Sequence, residues 1–248
     1  MKASVYSTEG KVLKQIDLPA IFESAPRDDL VKRAVLSEES VLYQPKGSYR
    51  FAGLETSARY RGRKEDYGAI KNKGIPHLPH EVQPKGQFGK VKRVPHAVKG
   101  RRAHPPKSQK ILAELINKKE HLRALASALA MSADRKLVCS RMHSEIGVNI
   151  PIVMDKSFEK ISKTKEVVKV FEALNLLSLV EKAKKNGTKS PLIIVSSDHG
   201  TKAARNLSGV DVVKASKVQV KDLAPGTHGG RLTIFSESAI AELVKRFE

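Results

Sequence analysis

From Gln44 to Lys110 the chain runs for 67 residues with neither a 3.6-residue nor a 2.0-residue apolar period over any long window. This stretch carries 17 of the 46 Lys and Arg but only four acids (Glu55, Glu65, Asp66, Glu81), so it holds +13 of the total formal charge of +20. It also holds 8 of the 16 glycines, 7 of the 12 prolines and 5 of the 12 Tyr and Phe. Pro76, Pro79, Pro84, Pro95, Pro105 and Pro106 interrupt any helix or central strand. An irregular segment longer than about 15 residues is unusual inside a compact domain, and is either functional or disordered. Here the two readings join: the segment is expected to be disordered alone and to order on a polyanion. Run out and back, each limb of about 33 residues reaches at most roughly 110 Å.

The excess of cations calls for a polyanionic partner, since self-repulsion is otherwise a standing cost. Nucleic acid and an anionic membrane are the two candidates. No run of about 18 apolar residues is present, which argues against a spanning helix. Met1–Gly10 lacks the charged-then-apolar layout of a signal peptide. The single cysteine, Cys139, has no intramolecular partner and points to a reducing compartment. The expectation is a soluble intracellular protein bound to nucleic acid, with no membrane partner.

The flanks read as an ordinary globular domain. Ala3–Tyr6 and Val12–Leu18 alternate as a strand pair about Glu9-Gly10, and Arg27–Leu42 suits an amphipathic helix. Ser108 is placed to cap a helix running through Met131. Leu137–Cys139, Ile150–Met154, Leu192–Val195, Val210–Val213 and Leu232–Phe235 read as strands. Val167–Lys184, Thr201–Leu207 and Ser238–Phe247 read as helices, the last capped by Ser236. This alternation predicts an α/β fold: a mainly parallel sheet flanked by helices, interrupted by one long basic extended loop. Residues 1–43 and 108–248 form the globular domain in this reading, and 44–107 the loop.

Within the loop, Lys and Arg neutralise phosphates and release counterions, glycine allows close backbone approach, and aromatic rings stack on unpaired bases. The expected RNA-binding residues are Arg50, Arg59, Arg61, Arg63, Lys64, Lys71, Lys73, Lys85, Lys90, Lys92, Arg93, Lys99, Arg101, Arg102, His104 and Lys107, with Tyr49, Phe51, Tyr60, Tyr67 and Phe88 as stacking candidates. The bland alternative is a solvated loop or a nuclear-targeting patch. A phosphate-binding P-loop at Gly86–Lys90 is rejected, because Pro84 stands where the motif needs glycine and Val91 where it needs Ser or Thr. His77 and His80 have a ligand-like spacing but no cysteine nearby; base or phosphate contact is the better account, and no metal or cofactor is expected. Ser196–Gly200 follows a strand where α/β sheets place ligands, yet it lacks Gly-x-Ser-x-Gly, and Asp198 reads as a helix cap. Cys139 reads as a buried thiol in a strand, and Gly226–Gly230 as a flexible turn.

The run Val94–Lys107 (Val-Pro-His-Ala-Val-Lys-Gly-Arg-Arg-Ala-His-Pro-Pro-Lys) closely resembles the archaeal form of the universal large-subunit ribosomal protein four family. Ala52–Ala58, Leu125–Ala130, Thr164–Val168, Thr201–Leu207, Asp222–Gly226 and Gly230–Phe235 match it in order along nearly the whole chain. The resemblance implies a structural rRNA-binding protein that joins the large subunit early in assembly. It also implies a loop helping to line the polypeptide exit tunnel and meeting the ribosomal protein twenty-two family at the constriction. Where the bacterial form has a compact Gly- and Arg-rich tip, this chain has Arg63–Gly89. The tip is accordingly expected at Lys71–Gly89, with Arg59–Lys64 and Lys90–Lys107 as the limbs gripped by RNA.

Two other readings use the same residues. One is an α/β enzyme acting on nucleic acid, with Asp198 and His199 as acid and base. The other is a regulator binding a structured messenger RNA.

Overall fold

Lys2–Tyr6 (β1) and Val12–Asp17 (β2) pair antiparallel, joined by a turn in which the Gly10 amide donates to the Ser7 carbonyl at 3.0 Å. Gly10 has φ +80°, a conformation that costs glycine nothing and a side chain about 1 kcal/mol. The computed structural model describes residues 1–189, 191–197 and 202–247. The helices are α1 (Asp28–Ser40), α2 (Lys118–Ala133), α3 (Arg135–Met142), α4 (Thr164–Ala173), α5 (Leu177–Asn186), α6 (Val220–Leu223) and α7 (Glu237–Phe247). The remaining strands are β3 (His80–Val82), β4 (Phe88–Val91), β5 (Ile152–Met154), β6 (Leu192–Val195), β7 (Asp211–Lys214) and β8 (Thr233–Ser236).

Six strands form one sheet in the order β2-β1-β5-β8-β6-β7, parallel throughout except for the β1–β2 pair. Period-2 alternation decides which core each side chain enters. Val5, Val153, Ile194 and Phe235 face a core built with Val31, Val35, Leu125, Leu129, Leu223 and Leu243 from α1, α2, α6 and α7. Their neighbours Tyr6, Ile152, Ile193 and Ile234 face a second core with Val138, Val167, Phe171 and Leu179 from α3, α4 and α5. Covering both faces explains the continuous apolar runs of β5 and β6 and the full burial of β8, and gives the α/β fold expected from the sequence.

Several boundaries differ from expectation. The helix anticipated from Ser108 begins at Lys118, behind Asn117 in extended backbone. Upstream, the Ser37 hydroxyl donates to the Glu114 carbonyl at 2.5 Å and the Glu114 amide donates to Ser40 Oγ at 2.8 Å. Side chains of α1 therefore take the backbone groups a longer helix would have used. Leu137–Cys139 is helical, not a strand: Asp134 accepts from the Lys136 amide at 2.9 Å and caps α3, and Cys139 is only half-buried. The single helix expected over Val167–Lys184 is two, broken where Asn175 takes φ +56° between the buried Leu174 and Leu176. Lys202–Asn206 is a 3-10 helix. Asp198, His199 and Thr201 lie outside the described residues. The Ser236 cap is present, accepting from the Ala239 amide at 3.1 Å.

The chain divides into two compact units, Met1–Leu42 with Ala113–Glu248, and Tyr43–Leu112. Among the described residues no helix is long and apolar enough to cross a membrane.

Candidate nucleic-acid interface

The basic segment, expected to carry no regular structure, contains a hairpin. β3 and β4 pair antiparallel across Gln83–Gln87, where Lys85 and Gly86 both have positive φ. Proline does not prevent this, because Pro79 and Pro84 flank the strand and leave its ladder positions free. Arg59 bridges back to His80, its amide donating to the His80 carbonyl at 3.0 Å.

His80 organises this region and is not available to RNA, contrary to the expectation of base or phosphate contact. Its ring is buried, with Nδ1 3.0 Å from the Gly89 carbonyl, Nε2 3.0 Å from the Pro76 carbonyl, and Phe88 against it edge-on at 5.8 Å. Lys73 lies over the Phe88 ring at 4.9 Å, so Phe88, a stacking candidate, is partly covered. The signal missed in the sequence was the hairpin itself: once β3 and β4 pair, the His80 ring is enclosed between carbonyls only four and nine residues away, at Pro76 and Gly89.

A second closure forms residues 61–70 into a loop. The Ile70 amide donates to the Arg61 carbonyl at 3.0 Å, Arg61 Nη1 donates to the Tyr67 carbonyl at 3.1 Å, and Ala69 and Ile70 are buried. Farther out, the Ser48 amide donates to the Pro106 carbonyl, and Gly53 sits so close to the Arg101 backbone that a Cβ there would lie 2.7 Å from it. Gly47–Arg50 and Ala52–Leu54 on one side, and Lys99–Ala103 and Pro105–Gln109 on the other, line a cleft of about 670 Å³.

These closures leave the cations outside. Arg50, Arg59, Arg63, Lys64, Lys71, Lys73, Lys85, Lys90, Arg93, Lys99, Arg101, Arg102, His104 and Lys107 are exposed; Arg61 and Lys92 are half-buried. Among the described residues none of the Lys or Arg side chains in Tyr43–Leu112 pairs with a carboxylate; every ion pair lies in the other unit. Lys85, Arg93 and Lys99 hold left-handed backbone (φ +60°, +71°, +59°), a conformation that side chains adopt at a cost of about 1–2 kcal/mol. Tyr49, Tyr60 and Tyr67 are exposed, and Phe51 is 49% exposed beside Tyr49 and Arg50.

Glu159 lies at the carboxyl ends of β6 and β8. Its carboxylate accepts from the Ser196 amide (2.9 Å), the Ser196 hydroxyl (2.8 Å), the Ser238 hydroxyl (2.8 Å) and the Ser236 hydroxyl. Burial pushes this carboxyl up, but the four donors outweigh it and hold it below the ordinary glutamate range. Ser196 is thus a structural donor to a carboxylate rather than a free nucleophile. Gly226–Gly230, expected as a flexible turn, is tied down by Arg141, which donates to the carbonyls of Pro225 (2.7 Å), His228 and Gly229.

The model of the Ribosomal protein L4/L1 family matches residues 16–246. The chain is similar over its full length to the large ribosomal subunit protein uL4 of Methanocaldococcus jannaschii, 43% identical with all of both chains covered. It is likewise 43% identical to that of Methanococcus maripaludis, and 39% identical to that of Haloarcula marismortui with 99% of this chain and all of the relative covered.

Proposed function

The chain belongs to the Ribosomal protein L4/L1 family, and on that premise we propose that it is a structural, non-catalytic constituent of the large ribosomal subunit that grips large-subunit rRNA through its basic segment. The observation that carries this reading is the set of 17 Lys and Arg between Gln44 and Lys110 with no carboxylate partner among the described residues. Unneutralised cations held on a turn-rich, internally closed scaffold are set to exchange counterions for phosphates. Residues 44–107 act as the rRNA-penetrating segment, with 1–43 and 108–248 as the globular body. Binding early in assembly lets one protein draw several rRNA segments together. Lys71–Gly89, with the β3–β4 hairpin, reaches the polypeptide exit tunnel beside the ribosomal protein twenty-two family, and the protein works in the cytoplasm.

The test is equilibrium binding of the full chain to a large-subunit rRNA transcript as salt is raised. If about 6–10 phosphates are contacted, affinity falls by roughly 10³–10⁵ between 50 and 200 mM salt. A nearly flat response contradicts the reading.

A further inference from the structure

An acid facing an RNA is repelled by phosphate, so its presence in a basic surface asks for an explanation. Asp66 is such an acid. Among the described residues its carboxylate makes no ion pair and no side-chain hydrogen bond, although 17 cations surround it in sequence. It lines a cleft of about 460 Å³ together with Arg59, Tyr60, Arg61, Tyr67 and Arg93, a size within the usual range for small-ligand sites.

The cleft is built rather than incidental. The Tyr60 ring lies over Gly62, where a Cβ would come within 2.7 Å of it, and the Tyr67 hydroxyl rests against Gly86. Arg61 is anchored on the Tyr67 carbonyl, and Arg93 on the carbonyls of Leu54 (3.2 Å) and Ala58 (3.1 Å). Ile70, buried beneath, closes the loop that carries Asp66 and Tyr67. Both tyrosines nevertheless leave most of their surface exposed, 57% for Tyr60 and 83% for Tyr67.

We propose that this cleft takes one unpaired guanine nucleotide of the bound RNA. Tyr60 and Tyr67 supply stacking surfaces, as aromatic side chains do for splayed-out bases. An ionised carboxylate only accepts hydrogen bonds. Guanine alone among the four bases presents two adjacent donors on its Watson–Crick edge, N1–H and the 2-amino group, matching the two oxygens of Asp66. Uracil offers one N–H between carbonyls, and adenine and cytosine offer an amino group beside a ring acceptor. Arg59, exposed and without a partner, takes the phosphate. The inference deepens the rRNA-binding reading and rests on it.

The test uses the full chain and fluorescein-labelled eight-nucleotide RNAs made of uridine, with G, inosine, A, C or U at one central position, in low salt. The G probe is expected to bind about tenfold tighter than the A, C and U probes. Inosine, which keeps N1–H but lacks the amino group, falls between. D66N abolishes the preference while leaving the all-uridine affinity unchanged or higher, because a negative charge is removed. Absence of a G preference in the native chain, or its survival in D66N, overturns the proposal; the inosine comparison decides even if the variant misfolds. The rRNA transcript is titrated with the same preparation. Salt-sensitive transcript binding without G selectivity sinks the guanine site alone, whereas no transcript binding sinks both.

Discussion

Arg93 donates from Nη1 to the Ala58 carbonyl at 3.1 Å, and so ties the chain leaving β4 to the chain entering the hairpin across 35 residues of sequence. Its Nε adds a bond to Leu54 at 3.2 Å. A cation in this position is therefore part of the scaffold as well as part of the charge. R93A is expected to weaken rRNA binding more than K90A does, although each removes one charge. Hydrogen exchange at the Arg59 and Ile70 amides, both bonded inside this unit, should quicken in R93A and stay unchanged in K90A.

Close backbone approach gives a second prediction. A Cβ on Gly53 would meet the Arg101 backbone at 2.7 Å, and one on Gly100 would meet the Val94 carbonyl at 2.0 Å; Gly53 also has φ +76°. Neither contact can be relieved by moving a flexible side chain. G53A and G100A are expected to reduce affinity for the rRNA transcript severalfold while leaving the main thermal transition of the sheet unit in place, as circular dichroism would show.

Exposed cations should behave differently from scaffold cations. R101Q and R102Q each remove one candidate phosphate contact, so each is expected to shallow the slope of log affinity against log salt by about 0.7–0.9. Their effect should be uniform across RNA sequences. A loss of affinity with no change of slope would mean that the residue faces water in the complex.

In the sheet unit, Ser236 both caps α7 and donates to Glu159. S236A is expected to cost about 1–3 kcal/mol in chemical denaturation.

Acid acts at the same place. The Glu159 carboxyl sits below its ordinary value of 4.5 because its serine donors outweigh burial. Glu38 does likewise: burial raises it, and hydrogen bonds from His121 and the Lys221 and Val220 amides more than compensate. With the folded value depressed, the stabilisation is complete above the unfolded value and is lost as pH falls through the folded one. Melting temperature should therefore drop as pH is lowered from about 6 to about 3. E159Q should show a smaller part of that drop.

The sheet was legible because β5 and β6 are short runs of apolar residues and Ile234-Phe235 form the apolar centre of β8, and burial on both faces leaves no other use for them. Ser236 was legible as a cap because its partner, the Ala239 amide, is three residues away. The helix start at Lys118 was not, since it depends on Ser37 and Ser40 capturing Glu114 from 74 or more residues away. Three apolar residues at Leu137–Cys139 fit strand and helix equally, and Asp134 as a cap decides between them. In the basic segment the charge and the aromatic candidates could be read from composition, whereas the Arg93 bonds to Leu54 and Ala58 join residues 39 and 35 positions apart, and the short-range closures at His80 and Arg61 use backbone carbonyls, which carry no side-chain signature.

On this reading the segment from Tyr60 to Arg102 is what fastens the protein to the large subunit. The direct measurement compares the tagged full chain with a version lacking those residues, both followed through a sucrose gradient of cell lysate. The full chain is expected to travel with large subunits, while the shortened chain stays mostly free or yields defective particles. Equal sedimentation of the two with intact subunits would contradict it and would give the affinity to the α/β unit.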